Sequence, residues 1–215
     1  MKSEPHPQPV HKVIISGTGR AGTTFLVQVM NAVGLDTGID RGLGKKYDTA
    51  NAGYEIHWDH PDAPYILKSP SFCETLRPLL AEGRFIIDHA IVPIRDLEEA
   101  AASRVHISVK TKRSFWRWLL RRPHRAAGGM WGTTDPDQQA SVLAVNFHRL
   151  LHTLAVYDIP VTFLEFPRLV NDSLYLYTKL KPILGNITFA KFDTAFHDIA
   201  QPELVHSFKE RLKCA

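Results

Sequence analysis

The sequence predicts an α/β fold in three layers, a central parallel sheet flanked by helices. The first observation is an apolar run, Val13–Ser16, that leads through a glycine-rich turn into an amphipathic helix. The second is the alternation of further short apolar runs with helical stretches along the chain. The third is size, because 215 residues with 44% hydrophobic content suffice for one such core. We therefore expect a single domain over residues 1–215.

The first half of the chain supplies two of the predicted strands. Val13–Ser16 is the first, and Gly34 ends the helix that follows it. Tyr65–Leu67 is a second, shorter strand, which ends at Lys68 and precedes another helix. The helix between these two strands carries its apolar side chains on one stripe: Phe25, Leu26, Val29, Met30 and Val33.

The second half supplies two more predicted strands. Ala90–Ile94 is the third, and Asp96, with Glu99 three residues later, is typical of a helix N-terminus. Helical periodicity returns over Asp135–Tyr157, and Val161–Leu164 is a fourth strand before a helical last third. In an open parallel sheet, ligands bind outside the carboxyl ends of the strands. The loops after these strands are therefore the expected site.

The turn after the first strand has the composition of an anion-binding loop. Its glycines let the backbone turn tightly, and the amides and positive dipole end of the next helix favour negative charge. The spacing resembles the P-loop, Gly-x-x-x-x-Gly-Lys-Ser/Thr, except that Thr23 replaces the lysine and Arg20 supplies an earlier cation. We predict a P-loop fold with metal-independent chemistry, since the missing lysine disfavours ATP or GTP hydrolysis. The predicted anion-binding residues are Gly17, Thr18, Gly19, Arg20, Ala21, Gly22, Thr23 and Thr24.

Charge and cysteine content narrow the functional classes. A net charge of +4 and an isoelectric point near 9.1 are modest for a nucleic-acid-binding protein but suit an enzyme that holds an anionic nucleotide. Two cysteines, Cys73 and Cys214, are too few for a disulfide framework and indicate a reduced compartment. Residues 1–11 are polar and proline-bearing, which predicts a flexible end rather than a signal peptide. We expect a cytoplasmic protein without a nucleic-acid partner.

Two blocks resemble the nucleotide-binding motifs of sulfotransferases that use 3′-phosphoadenosine 5′-phosphosulfate (PAPS), in particular bacterial and Golgi-type members. Residues 20–24, Arg-Ala-Gly-Thr-Thr, are close to the Arg/Lys-Ser-Gly-Thr-Thr of the family's 5′-phosphosulfate loop. Ala21 replaces the usual serine, which removes one hydroxyl contact. Arg95 and Ser103 fall in register with the family's 3′-phosphate motif.

Two further blocks extend this resemblance. Lys68-Ser69-Pro70 is similar to the Lys-Ser/Thr-Pro segment of many members, and residues 163–170 resemble the family's Tyr-Glu-Asp-Leu segment with its helix. The resemblance covers residues 12–107 and 140–185, whereas the middle segment and the C-terminal residues match no motif.

The resemblance implies an enzyme that moves a sulfuryl group from PAPS to an acceptor hydroxyl or amine and leaves adenosine 3′,5′-bisphosphate. Arg20 would stabilise the charge that develops on the departing oxygens, and Lys68 would reach the transferring group. Arg95 and Ser103 would bind the 3′-phosphate. No metal is expected, and the acceptor would be a small molecule, a sugar or a lipid headgroup.

Such a transfer needs a general base, which family members provide as a Glu or His after the first helix. Glu55, which follows a glycine-bearing turn, is the favoured candidate, and His57 is the second. Asp59, His60 and Asp40 are weaker alternatives. The acidic and histidine residues of this stretch also suggest a metal site, but their short spacing lacks a helical His-x-x-x-His pattern, which favours a polar loop.

Residues 108–134 contain the most uneven charge, and the basic segment 110–125 interleaves aromatic residues with cations. One interpretation is a lid over nucleotide and acceptor, hinged at Gly128-Gly129. A second is contact with an anionic membrane surface or nucleic acid. A third is an amphipathic helix that packs apolar residues into the core. The sequence leaves these alternatives open, as it does the oligomeric state.

Two rival functions come from other classes. A P-loop nucleoside or sugar kinase would use the basic segment to sense phosphates. Two features disfavour a kinase. The P-loop lysine is missing, and the third apolar strand is followed directly by Arg95, where a kinase should have a magnesium-binding acid. A nucleotide-binding module without catalysis is the other rival, and it would have no candidate base beside its pocket.

Overall fold

The computed structural model describes residues 9–47, 52–112 and 128–201. Single 3₁₀ turns occur at Ile39–Arg41 and Pro136–Gln138. The strands and helices, in chain order, are β1 Val10–Ile15, α1 Thr23–Ala32, β2 Lys46–Tyr47, β3 Ala52–Gly53, β4 Ile66–Lys68, α2 Phe72–Ala81, β5 Phe85–Ile94, α3 Leu97–Lys112, α4 Gln139–Val156, β6 Val161–Glu165, α5 Arg168–Asn171, α6 Ser173–Leu184 and α7 Phe189–Ile199.

Four of the strands form one parallel sheet in the order β4-β1-β5-β6, so the predicted α/β class and parallel sheet are confirmed. The prediction did not include the small antiparallel pair β2-β3. The predicted strand Ala90–Ile94 covers only half of β5, which has ten residues and starts at Phe85. The first half of β5 contains Asp88 and His89. Because these residues are polar, the pattern of apolar runs does not reveal this part of the strand.

Helices cover both faces of the sheet, and each face has its own apolar core. Alternate residues of β1 point to opposite faces, as a strand requires. Val13 and Ile15 belong to the core under α1, α6 and α7, whereas Ile14 belongs to the core under α2 and α4. This arrangement leaves the loops after the carboxyl ends of the strands at one edge of the sheet.

The expectation of a flexible stretch over residues 1–11 is wrong for its last two residues. The amide of Val10 donates to the carbonyl of Arg84, and β1 begins there. The imidazole of His11 lies 2.6 Å from a carboxylate oxygen of Asp88 on the neighbouring strand. Cross-strand pairing thus orders residues whose composition alone favours a frayed end.

Several sequence predictions concern residues outside the described ranges. They fall on residues 1–8, on the basic stretch 113–127 and on Cys214. The beginning of the predicted lid, residues 108–112, belongs to the end of α3. Within the described part of the chain, no helix combines the length and apolarity needed to cross a membrane.

Candidate anion-binding site

The predicted anion loop connects the carboxyl end of β1 to α1. Four of its residues have positive φ angles, and Arg20, with φ 59°, is the one without glycine's freedom. Gly22 precedes α1 with φ 79°, and a Cβ there would lie 2.8 Å from Cδ1 of Leu169. Close packing as well as backbone conformation therefore requires glycine at this position.

The loop contains backbone hydrogen-bond donors that have no acceptor in the described part of the chain. Among the described residues, no acceptor binds the backbone amides of Gly19, Ala21, Gly22, Thr23 or Thr24. The Oγ of Ser16, at the start of the loop, is buried and has no hydrogen-bond partner in the described part of the chain. Amides at a helix N-terminus favour an anion. The donor set is therefore suited to a phosphate or sulfate group.

Two predicted nucleotide-binding residues, distant in sequence, are in contact beside this loop. The Nε of Arg20 donates to Oγ of Ser103 at 3.2 Å. The Nη1 of Arg95 donates to the backbone carbonyl of Arg20 at 3.1 Å. Burial, together with the positive charge of Arg95, lowers the pKa of the Arg20 guanidinium from its ordinary value. The carboxyl end of β5 and the helix after it thus meet the loop, as the sequence predicts.

Arg95 is buried, with 8% of its surface exposed, and a carboxylate contacts it. Its Nη2 and Nε lie 3.2 Å and 3.4 Å from Oε2 of Glu99, one helical turn away. Its guanidinium also stacks 4.9 Å from the ring centroid of Phe166. The cation that the resemblance assigns to a 3′-phosphate is therefore held in place by an acid and an aromatic ring.

Lys68 and Glu55 form a second charged pair, at the carboxyl end of β4. The Lys68 side chain is 3% exposed, and its Nζ donates to the carbonyl of Gly53 at 2.7 Å and to Oε1 of Glu55 at 3.2 Å. Glu55 itself is half-exposed. Burial lowers the pKa of the Lys68 ammonium, an effect that the Glu55 carboxylate opposes and Arg20 adds to. The favoured base candidate thus lies beside a buried cation.

A pH profile should report on this buried lysine. Because the pKa of Lys68 lies below the ordinary 10.5, the ammonium should lose its proton at a lower pH than a free lysine. In any reaction that needs this charge, kcat should fall on the alkaline side below pH 10.5. The free energy of unfolding should rise over the same window, because the unfolded chain still binds that proton.

The Lys68→Arg variant provides the control for this profile. Arginine holds its proton to a higher pH than lysine in the same surroundings, so the alkaline fall in kcat should move to higher pH. A fall of the same size at the same pH in the arginine variant would assign the titration to another group.

His57, the second base candidate, faces a different partner. Its imidazole pairs with the carboxylate of Asp59 at the surface, and its ring lies 5.5 Å from that of Trp58. No contact among the described residues joins His57 to Arg20 or Lys68. Of the two candidates, only Glu55 touches another predicted site residue. The described residues contain no cluster of three metal-ligating side chains.

Arg104, which directly follows Ser103, is a site residue that was not predicted from the sequence. Its Nη2 and Nε donate to the carbonyl of Thr18 at 2.6 Å and 3.1 Å, and its Nη1 donates to the carbonyl of Gly129 at 2.8 Å. Burial and the charge of Arg20 lower its pKa to about 10. Nothing in its local sequence marks Arg104, because both of its acceptors are backbone atoms far along the chain.

The electrostatic balance of the site is positive. Among the described residues, four cations, at positions 20, 68, 95 and 104, lie around the loop and the strand ends beside it, and the carboxylates of Glu55 and Glu99 contact Lys68 and Arg95. Arg20 lies close enough to Arg95 and Arg104 for these like charges to repel one another, and a bound anion offsets that cost. The residues present therefore fit an anionic ligand.

Neither a protein-family model nor a curated protein sequence nor a solved structure matches the chain. The function therefore has to be inferred from the site itself.

Proposed function

We propose that the chain is a PAPS-dependent sulfotransferase built on a P-loop fold. It transfers a sulfuryl group from PAPS to a hydroxyl or amine of a small molecule, a sugar or a lipid headgroup. The observation that carries the proposal is a glycine-rich loop whose amides at positions 19 and 21–24 meet no acceptor among the described residues, with the cations of Arg20, Lys68, Arg95 and Arg104 around it. PAPS carries anionic groups at both its 3′ and 5′ positions, and this positive site suits such a ligand.

Different residues of the chain can serve different parts of the in-line transfer reaction. The amides and hydroxyls of Thr23 and Thr24 hold the 5′-phosphate, and Arg20 stabilises the bridging oxygen as its bond to sulfur breaks. The acceptor oxygen or nitrogen forms the new bond to sulfur. Its proton passes to Glu55, and adenosine 3′,5′-bisphosphate leaves. Because arginine and lysine stabilise the developing charge, no step in this scheme calls on a metal ion.

The contact between Lys68 and Glu55 supports separate roles for the two groups. Glu55 supplies a carboxylate oxygen that could accept the acceptor's proton, and Lys68 supplies a positive charge. Lys68 remains buried at the strand end and keeps its charge close to the transferring group. Half-exposure lets Glu55 meet an incoming acceptor.

The kinase alternative is less well supported. Magnesium-dependent phosphoryl transfer needs a carboxylate at the end of a core strand. Asp96 follows β5, but its Oδ1 accepts a hydrogen bond from the amide of Glu99 at 3.0 Å and so caps α3. The preceding residue, Arg95, is a cation. The carboxylate at this strand end thus caps a helix and directly follows a cation, which disfavours magnesium there.

Calorimetric titration tests the proposal. We expect adenosine 3′,5′-bisphosphate to bind without metal, and ATP with magnesium to bind weakly or not at all. Sulfation of a member of an acceptor panel, followed by mass spectrometry, then separates an enzyme from a non-catalytic nucleotide-binding module. Tight magnesium-dependent ATP binding together with weak binding of the bisphosphate would overturn the assignment in favour of a kinase.

The Arg95→Ala variant tests the 3′-phosphate assignment. Loss of a charge-assisted hydrogen bond should weaken binding of adenosine 3′,5′-bisphosphate by roughly 10- to 100-fold. Binding of adenosine 5′-monophosphate should change much less, because that ligand lacks the 3′-phosphate. Calorimetry with both nucleotides gives the comparison. Arg84→Ala, at the opposite end of β5, is the control.

Equal losses for the two nucleotides would instead assign Arg95 to support of the loop through its contact with the Arg20 carbonyl.

A further inference from the structure

The geometry points to Arg104 as a positioning residue that orients the Gly19 amide toward the bound anion. Its guanidinium holds the carbonyl of Thr18 with two donors, at 2.6 Å and 3.1 Å. In a planar trans peptide, the carbonyl oxygen and the next amide hydrogen point in opposite directions. Fixing the Thr18 oxygen on Arg104 therefore directs the Gly19 amide away from the guanidinium.

The surroundings of Arg104 make this contact rigid. The residue is 5% exposed, its Nη1 donates to the carbonyl of Gly129, and its guanidinium lies 5.2 Å from the ring centroid of Trp131. A flat guanidinium held on three sides has little rotational freedom, so it fixes the oxygen it binds. Lysine, with one ammonium on a flexible stem, cannot reproduce this two-carbonyl geometry.

The absence of a side chain at Gly19 fits the same arrangement. A Cβ at Gly19 would lie 2.5 Å from Nη2 of Arg104, which is too close for any real contact. Gly19 also has φ 68°, and among the described residues nothing accepts a hydrogen bond from its amide. Glycine at this position therefore lets Arg104 approach the loop and leaves the amide for a ligand.

A second arginine contacts the loop backbone two residues later. The Nη1 of Arg95 donates a single hydrogen bond to the carbonyl of Arg20 at 3.1 Å, whereas its Nε and Nη2 face Glu99, so its hold on the loop is weaker than that of Arg104. Arg104 differs because both ends of its fork bind backbone oxygens. Its effect on a ligand is therefore transmitted through the loop backbone. The inference rests on the proposed function only for the identity of the ligand, since any anion at the loop would use these amides.

Arg104→Lys is the informative variant, because it keeps the positive charge and removes the fork. We expect adenosine 3′,5′-bisphosphate and adenosine 5′-monophosphate to bind roughly 10-fold more weakly, to the same extent. Adenosine 3′-monophosphate, which has no 5′ anion, should bind as it does to the wild-type protein. Isothermal titration measures all three affinities, and Arg84→Lys at the surface is the matched control.

Thermal unfolding of Arg104→Lys and of the wild-type protein distinguishes a local change in the loop from a loss of overall stability. Equal weakening of all three nucleotides, or unchanged binding of the two 5′-phosphates, would overturn the inference. Gly19→Ala disturbs the same contact, because the added methyl group pushes the Arg104 guanidinium off the Thr18 carbonyl. The losses of binding free energy caused by Gly19→Ala and by Arg104→Lys should therefore not add in the double variant. Fully additive losses would count against the inference.

Inorganic pyrophosphate makes the test independent of the nucleotide. If the wild-type protein binds pyrophosphate but not adenosine 3′,5′-bisphosphate, the sulfotransferase proposal fails. The comparison of Arg104→Lys with the wild type is then made with pyrophosphate, where the same loss is expected. If the wild-type protein binds none of these anions, the role assigned to Arg104 fails as well.

Discussion

Replacement of Arg20 by alanine is expected to lower kcat by about 100- to 1,000-fold, the usual loss when one group that stabilises transition-state charge is removed. Arg20 extends from the anion loop, touches Ser103 and has a lowered pKa because of burial and Arg95. Its charge is needed most when the bond to the leaving phosphate breaks. Nucleotide binding should weaken by a smaller factor than kcat.

The measurement is steady-state kinetics with a PAPS donor, together with calorimetric binding of adenosine 3′,5′-bisphosphate. Arg20→Lys serves as the control, since it keeps a cation and should recover part of the activity. The φ of 59° at Arg20 is strained for arginine, lysine and alanine alike, and thermal unfolding of both variants reports whether the loop remains stable. Full activity in Arg20→Ala would remove the main support for the proposed mechanism.

Replacement of Glu55 by glutamine is expected to lower kcat by roughly 100- to 10,000-fold, the range for loss of a general base. Glutamine keeps the shape of the side chain and an oxygen that can accept from Lys68, so the fold and the local contact should persist. Nucleotide affinity should change little, because Glu55 acts on the acceptor. Kinetics at saturating nucleotide, with a pH profile, provides the test.

His57→Ala is the matched comparison for Glu55→Gln. Both positions belong to the same polar loop, but His57 pairs with Asp59 at the surface instead of with Lys68. We expect kcat of His57→Ala to stay within a few-fold of the wild type. A large loss in His57→Ala with a small loss in Glu55→Gln would reverse the assignment of the base.

The strands and the loop follow from local sequence. Val13, Ile14 and Ile15 are apolar on both faces of a central strand, which is the pattern of a strand buried in a parallel sheet. The glycine spacing after them predicts the turn into α1, and the cap of α3 by Asp96 was also predicted and is confirmed. These features depend on neighbours within a few residues, so a short stretch of sequence contains the necessary information.

Candidate residues follow from the sequence, but the contacts between them depend on the fold. Arg20 and Ser103 are 83 positions apart, and their contact exists because β1 and β5 are adjacent in the sheet. Glu55 and His57 are both candidates by type and position, with Glu55 favoured. The packing of their loop against β4 brings only Glu55 to Lys68.

By itself the sequence determined the α/β class, the parallel strands, the glycine-rich turn and the cations near it, because periodicity and backbone conformation are local properties. The tertiary structure decided that Glu99 holds Arg95, that Arg104 binds the carbonyl of Thr18, and that β1 extends back to Val10. Each of these contacts joins a side chain or strand to a partner that only the packing of the sheet and its helices brings near. A contact with a backbone oxygen does not depend on the residue type of the partner, so the sequence does not reveal it. Arg104 is therefore identified only in the folded chain.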